Sequence, residues 1–331
     1  VFRSGQALTP FVLHALAGAP KDACAPPAGA VARALGFLRR NVNADGMLGM
    51  QDPDVLEYPN YSTAYALRTL VELGSPTDRP LVEKMRDRLV AEQFGPANGF
   101  AESHLAFGGW GFGGKHAPGE TGHMDLAHTR RVLDALRAAG GVPPAVFERA
   151  LVFLRLMQRD PKERRAHPAP LETGAAAKAP RFDGGFFFSP VVLDANKGAV
   201  HRDAQGRFHA SYATATCDGL LSLLAAGVSK DDPRVRAARG WLLAHERLDH
   251  PEGIPKGTPQ DWGQAVYYYH LAARAEAYQS LGLTEQLRGR IAGELTTKQR
   301  ADGSFRNDKN HLMKEDDPLL ATALALIALS R

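Results

Sequence analysis

The sequence has little cysteine, no long apolar run and no excess of one charge. Two cysteines in 331 residues, Cys24 and Cys217, are too few for a disulfide framework or a four-thiolate zinc site. Whether these two pair with each other is left open. No apolar run reaches the roughly 18 to 20 residues of a membrane span, which excludes a transmembrane segment. Lys and Arg number 40 against 36 Asp and Glu, a net charge of +4. The arginines are interleaved with acids, so no basic stripe marks nucleic acid as a partner. Gly-x-Ser-x-Gly, His-Glu-x-x-His and the P-loop are all missing, which removes three common routes to hydrolysis and phosphate binding. The first residue is Val1, and no charged segment followed by an apolar one is visible. A leader already removed would leave no trace, so cytoplasm and export both stay open.

What is present is an ordinary globular balance, 44% apolar and 23% charged, in a chain long enough for one large core. Six segments rich in alanine and leucine are apolar nearly all round: 8–19, 60–74, 125–140, 211–227, 262–282 and 317–330. Such helices are buried on more than one side. Five others, 28–41, 79–93, 143–158, 232–246 and 284–299, carry apolar residues three and four apart with Arg, Lys and Glu outside. Buried and amphipathic helices therefore alternate. A hairpin of one of each cannot cover its own apolar face, and an open stack would need capping repeats at its ends. Closing the stack into a ring removes that need. The expected fold is all-α, an α6/α6 toroid of inner and outer helices in one domain over 1–331. An open solenoid is the structural alternative.

Gly-rich turns with an apolar residue follow most outer helices: NADGMLG (43–49), GPANGF (95–100), FDGGFFF (182–188), QRADGSF (299–305) and, less well formed, PEGI (251–254). The last full copy reads Gln299, Gly303, Phe305. This pattern resembles the Gln-x-x-x-Gly-x-Phe/Trp repeat of the terpenoid cyclase and protein prenyltransferase toroid superfamily, as does FGGWGFGG (107–114) followed by DLAHTRRVLDAL. Two insertion loops stand out, 94–122 and 159–208. The second holds FFFSPVVL and the turn signals DANKG and DAQGR, which predict a small β-hairpin near 182–208.

The resemblance implies parallel inner helices whose N-termini open at one end of an axial cavity. The polar and aromatic residues there form the candidate site, with Trp110, His123, Asp218, Trp262 and Tyr268 as ligand-binding residues. Asn60, Asp125, Ser211, Asp261 and Asp317 are also good helix caps. The zinc site of prenyltransferases has lost two positions: Leu220 stands where a Cys belongs and Ala321 where a His belongs. A displaced ion would fall to Asp125, His128 and Cys217, but a capping Asp beside a hydrogen-bonded His is the preferred reading. No cofactor is therefore expected. The Asp-x-Asp-Asp acid of protonating cyclases is missing too, and Asp125 keeps only its first position. Acid–base work is assigned to Asp125, His128, Glu315, Asp316 and Asp317, since clustered carboxyls raise one another's pKa. The expected ligand is small and apolar or isoprenoid-like, with peripheral membrane contact left open. A carbohydrate-active toroid enzyme and a non-catalytic scaffold are the rival readings.

Overall fold

The computed structural model describes residues 5–20, 22, 25–27, 29–49, 58–114, 119–172 and 175–331. Cys24, and with it any pairing to Cys217, lies outside them. The elements are mostly helical. Among the described residues six helices are buried: α1 (Gly5–Gly18), α3 (Pro59–Leu73), α5 (Leu126–Ala139), α7 (Ala213–Ala225), α10 (Tyr267–Leu281) and α12 (Pro318–Ser330). Between them run the amphipathic α2 (Ala30–Asn41), α4 (Arg79–Ala91), α6 (Pro144–Met157), α8 (Pro233–Ala244) and α11 (Thr284–Thr296), and a single turn, α9 (Trp262–Ala265), precedes α10. These bounds follow the sequence signals. Pro59, Pro80, Pro144, Pro233 and Pro318 each stand in a first helical turn, where a missing N–H costs nothing. Asp125, Asp261 and Asp317 cap the helices that follow them. Asn60 and Ser211 do not: Asn60 lies inside α3 and donates to the Gly111 carbonyl, and the Ser211 hydroxyl donates to Asp183.

The buried helices touch in a cycle. α1 packs on α3, α3 on α5, α5 on α7, α7 on α10, α10 on α12, and α12 returns to α1. The amphipathic helices lie against this cycle, α4 across α3 and α5, α11 across α10 and α12.

A recurrent turn ties each layer to the next. In Gly46-Met47-Leu48, Gly108-Gly109-Trp110, Gly184-Gly185-Phe186 and Gly303-Ser304-Phe305 the first glycine has φ between 83° and 88°. The N–H two residues on donates to a threonine of the next buried helix: Leu48 to Thr63, Trp110 to Thr129, Phe186 to Thr216 and Phe305 to Thr322, at 2.8–3.1 Å. In the last three copies a glutamine amide, from Gln93, Gln158 or Gln299, donates to the carbonyl of that same glycine. A Cβ on Gly46 or Gly184 would stand 2.8 or 2.6 Å from a backbone oxygen of the next outer helix, so no side chain fits there. Of the expected copies, GPANGF is not one. Its place is taken by Gly108–Trp110, separated from Gln93 by an insertion. Nor is PEGI, where the residue two after Gly253 is Pro255, which has no N–H to donate.

The expected hairpin exists but sits later. β2 (Val200–Asp203) pairs antiparallel with β3 (Gly206–His209), and β1 (Ala177–Lys178) adds in parallel to β2. FFFSPVVL forms no strand despite its β-prone residues. Its backbone is used elsewhere: Phe186 N–H bonds Thr216, Phe188 and Ser189 N–H bond the Asn196 side chain, and the Phe188 carbonyl accepts from Leu126.

Candidate active site

The N-terminal ends of α3, α5, α7, α10 and α12 converge on a cavity of about 330 Å³. Its wall is mainly aromatic: Tyr58, Tyr61, Phe112, Phe188, Tyr212, Trp262 and Tyr269 all border it. Against this wall stand a few polar groups, each fixed by a distinct device.

Asp125 caps α5 by accepting the His128 N–H at 2.9 Å, and its carboxylate also meets His128 Nδ1 at 2.9 Å and His123 Nε2 at 3.3 Å. Burial alone would raise its pKa, but the two imidazoles outweigh burial and hold the carboxyl well below its usual range. Nδ1 of His128 is taken up by Asp125, and among the described residues its Nε2 has no hydrogen-bond partner. The His123 ring is stacked on Phe112.

Glu315 comes from the loop before α12. Its two oxygens accept the N–H groups of Tyr268 and Tyr269 at 2.9 and 2.8 Å, closing the N-terminus of α10. Burial pushes this carboxyl up to about 8, against the downward pull of those backbone donors. At neutral pH it is mostly uncharged and holds a proton. Asp218 sits across the cavity floor, accepting Tyr269 OH at 2.9 Å and Arg130 Nη1 at 2.8 Å. Burial raises its pKa despite Arg130 and Arg131.

Below Asp218 the axis is plugged by charge. Arg130 reaches from Asp218 to Glu276, Arg131 also bonds Glu276, and His14 stands 3.7 Å from the same carboxylate. Burial would raise Glu276, yet the two arginines hold it well below the usual range. Beneath this septum a second, polar cavity of about 610 Å³ opens among the helix C-termini, beside Arg68, Glu72, Asp134 and Arg137.

No protein-family profile matches the sequence, and no curated protein does. Among solved structures the chain is similar to the type II terpene cyclase MstE from Scytonema in its apo form, with a TM-score of 0.53 and 16% identity over 98% of this chain and 87% of that one. A variant of that cyclase in complex with merosterolic acid A as product aligns with a TM-score of 0.49 and 17% identity, over 98% and 86% of the two chains. A protein from Actinoplanes aligns with a TM-score of 0.48 and 16% identity, over 98% and 89%. The fold is terpenoid cyclase-like.

Within this cyclase-like fold the expected residues separate into two groups. Asp125, His128, His123, Asp218, Trp262 and Glu315 all border the cavity. Trp110, Tyr268, Asp316, Asp317 and Cys217 do not. Trp110 is fully buried as the aromatic of a layer-tying turn, its indole N–H donating to the Leu89 carbonyl at 2.7 Å. Tyr268 sends its hydroxyl to the Arg306 carbonyl instead of the cavity. A break at Val266 between α9 and α10 resets the helical phase, so Tyr267 meets Glu294, Tyr268 meets Arg306, and Tyr269 is the one turned inward. Asp317 is an exposed cap and Asp316 lies beside it. Cys217 faces away from the cavity in the core, where burial pushes its thiol up to about 12. Asp125, His128 and Cys217 therefore do not meet, and among the described residues no group of three or more His, Cys, Asp or Glu is placed to hold a metal ion. No helix among the described residues is long and apolar enough to cross a membrane.

Sequence reasoning missed Lys197. It lies in the loop after Phe188 and brings an ammonium to the cavity wall, 4.3 Å from the centre of the Phe188 ring and 4.7 Å from that of Trp262. DANKG reads as a turn, and nothing in the local pattern shows that this turn folds back over the cavity.

Proposed function

We propose that the chain is an α6/α6 toroid whose axial cavity binds an isoprenoid-like substrate and cyclises it by protonation, without a cofactor. The observation that carries this reading is a buried carboxyl, Glu315, on the wall of an aromatic cavity, where burial pushes its pKa up to about 8. Glu315 gives its proton to an alkene carbon or epoxide oxygen of the substrate and becomes a carboxylate. The carbocation so formed is attacked by the next double bond, while the faces of Tyr58, Tyr61, Phe112 and Trp262 stabilise the travelling charge. His128 Nε2 removes the final proton, its imidazolium matched by Asp125. Substrate and product are isomers once the proton returns to Glu315, so nothing is oxidised or reduced. The acid comes from the start of the last buried helix rather than from an Asp-x-Asp-Asp motif, which accounts for a cyclase-like chain without that motif.

The rival readings fit less well. A glycan-active toroid calls for paired carboxylates facing an open groove, whereas Asp125 is engaged by two histidines and the wall is apolar. A scaffold that has lost its chemistry calls for a cavity filled by side chains, whereas about 330 Å³ stands open above the charged septum.

Incubation with geranylgeraniol and its terminal epoxide, followed by mass spectrometry, tests the proposal. The expected product is a cyclic isomer of unchanged mass. Glu315→Gln lowers its formation by about 100-fold or more, the usual scale for loss of a general acid. The rate of the parent protein falls as pH rises through about 8, where Glu315 loses its proton. A Glu315→Gln protein that cyclises normally assigns the acid elsewhere. Failure to convert either compound, with no thermal shift, removes the reading.

A further inference from the structure

Lys197 has no role in protonation, and a fixed ammonium beside a path for carbocations opposes that chemistry unless another charge offsets it. Its position is built rather than incidental. Asn196 holds the preceding loop through the N–H groups of Phe188 and Ser189 and through the carbonyls of Ser189 and Leu193. The Ser189 hydroxyl donates to the Met124 carbonyl at 2.6 Å, which pins the loop to the start of α5. On the other side Gly198 lies against the Ala210 carbonyl so closely that a Cβ would collide with it. Between these anchors the lysine stem is held, and its ammonium rests between the Phe188 and Trp262 rings. Among the described residues its one hydrogen bond is to the Ala195 carbonyl at 3.2 Å. Among the described residues no carboxylate lies within ion-pairing distance. Burial lowers its pKa to about 8, with Asp125 and Asp218 pulling the other way, so at neutral pH it still carries its charge.

An ammonium with two N–H groups unspent, in a cavity entered by helix N-termini, asks for an anion. The size of that anion's charge follows from the other lining groups. Among the described residues Lys197 is the only Lys or Arg bordering this cavity, and both His123 and His128 are already held by Asp125. Asp125 and Asp218 are themselves acidic. One ammonium neutralises one negative charge, and a second or third charge on the ligand would face the two aspartates.

We propose that Lys197 binds the monoanionic carboxylate head of an isoprenoid acid, so that the substrate class of this cavity is a prenylated or terpenoid carboxylic acid and not a prenyl diphosphate. This rests on the apolar-cavity reading above and adds its head group. The carboxylate replaces the missing counter-ion of Lys197, leaves the apolar tail along the aromatic wall, and cancels the ammonium's repulsion of the reacting cation.

The test compares three ligands that share one tail. Farnesoic acid, farnesol and farnesyl diphosphate are titrated into the parent protein, Lys197→Met and Lys197→Arg at pH 7, with Trp fluorescence and calorimetry as readouts and thermal melts to verify folding. The parent is expected to bind the acid about ten-fold or more tighter than the alcohol, and tighter than the diphosphate. Lys197→Met loses the preference for the acid while its affinity for farnesol stays within about two-fold, and Lys197→Arg keeps part of it. Equal binding of acid and alcohol by the parent, an acid preference that survives in Lys197→Met, or tighter binding of the diphosphate overturns the head-group assignment alone. Absence of binding by both farnesol and farnesoic acid overturns the cavity reading with it.

Discussion

At the scale of single residues, the cavity is assembled from groups whose pKa is set by burial and corrected by whichever partner is within reach. Glu315 accepts from backbone donors and the Asn307 amide, yet burial still pushes its pKa up to about 8; Asp125 has two imidazoles and stays ionised. Among the described residues Lys197 has no carboxylate within ion-pairing distance, and its partial burial makes its charge costly to the folded state. Its pKa falls from the usual 10.5 to about 8 on folding. Below pH 8 both folded and unfolded chains carry the proton and the folded state bears the whole penalty. Between pH 8 and 10.5 the unfolded chain binds more protons than the folded one, so this group makes stability rise with pH. Lys197→Met, nearly the same shape without the charge, is therefore expected to raise stability at pH 7 by about 1 to 3 kcal/mol, and the gain should shrink toward zero at pH 10.5. Urea unfolding at both pH values measures it. An equal effect at the two, or a loss at pH 7, would show that the ammonium is already satisfied. Asp125, His128 and Glu315 were legible in the sequence because polar residues before apolar helices are few. Lys197 was not, since its role depends on where a long loop comes to rest.

At the scale of elements, the alternation of all-apolar and amphipathic segments locates eleven helices to within a few residues, because burial periodicity is a local property of the chain. What local pattern does not carry is phase after an interruption. Three tyrosines in a row present three directions, and the break at Val266 decides that Tyr269 and not Tyr268 turns inward. Nor does local propensity decide FFFSPVVL, whose backbone groups are claimed by Thr216, Asn196 and Leu126 before any strand partner is available. The septum is likewise a meeting of elements: α5 supplies Arg130, α7 Asp218, α10 Glu276 and α1 His14. Arg130 is buried and bonded to two carboxylates at once. Arg130→Met leaves both without their main partner and is expected to cost about 3 to 5 kcal/mol at pH 7. The cost should fall toward pH 4, because the deserted carboxyls relieve it by taking up protons. Arg137→Met, a change at the open end of the same helix, serves as the comparison and should cost less than about 1 kcal/mol. A small cost for Arg130→Met that does not change with pH would mean that water already solvates the septum.

At the scale of the whole molecule, the contact between α12 and α1 matters most. An open helical stack loses its last repeat with little effect on the others, since each repeat touches only its neighbours. In a cycle the last buried helix is also the neighbour of the first. Removing α12 exposes the apolar faces of α10 and α1 together, and it takes Leu320 and Leu324 from the cavity wall. It also removes Thr322, the acceptor that holds the Phe305 turn. A chain ending at residue 312 is therefore expected to lose cooperative folding altogether. Far-UV circular dichroism should show helix lost well beyond one segment, and the thermal transition should vanish rather than shift. The layer-tying turns give a second arm to the same experiment. Thr322→Val removes one such bond at the closing helix and should lower stability by about 1 to 2 kcal/mol, the scale of one buried hydrogen bond with its donor left unmet. A truncated chain that kept a sharp transition and lost only the helix content of α12 would show that the repeats stand by themselves. The axial cavity, which is lined from all six buried helices at once, would then have to be held together by its ligand.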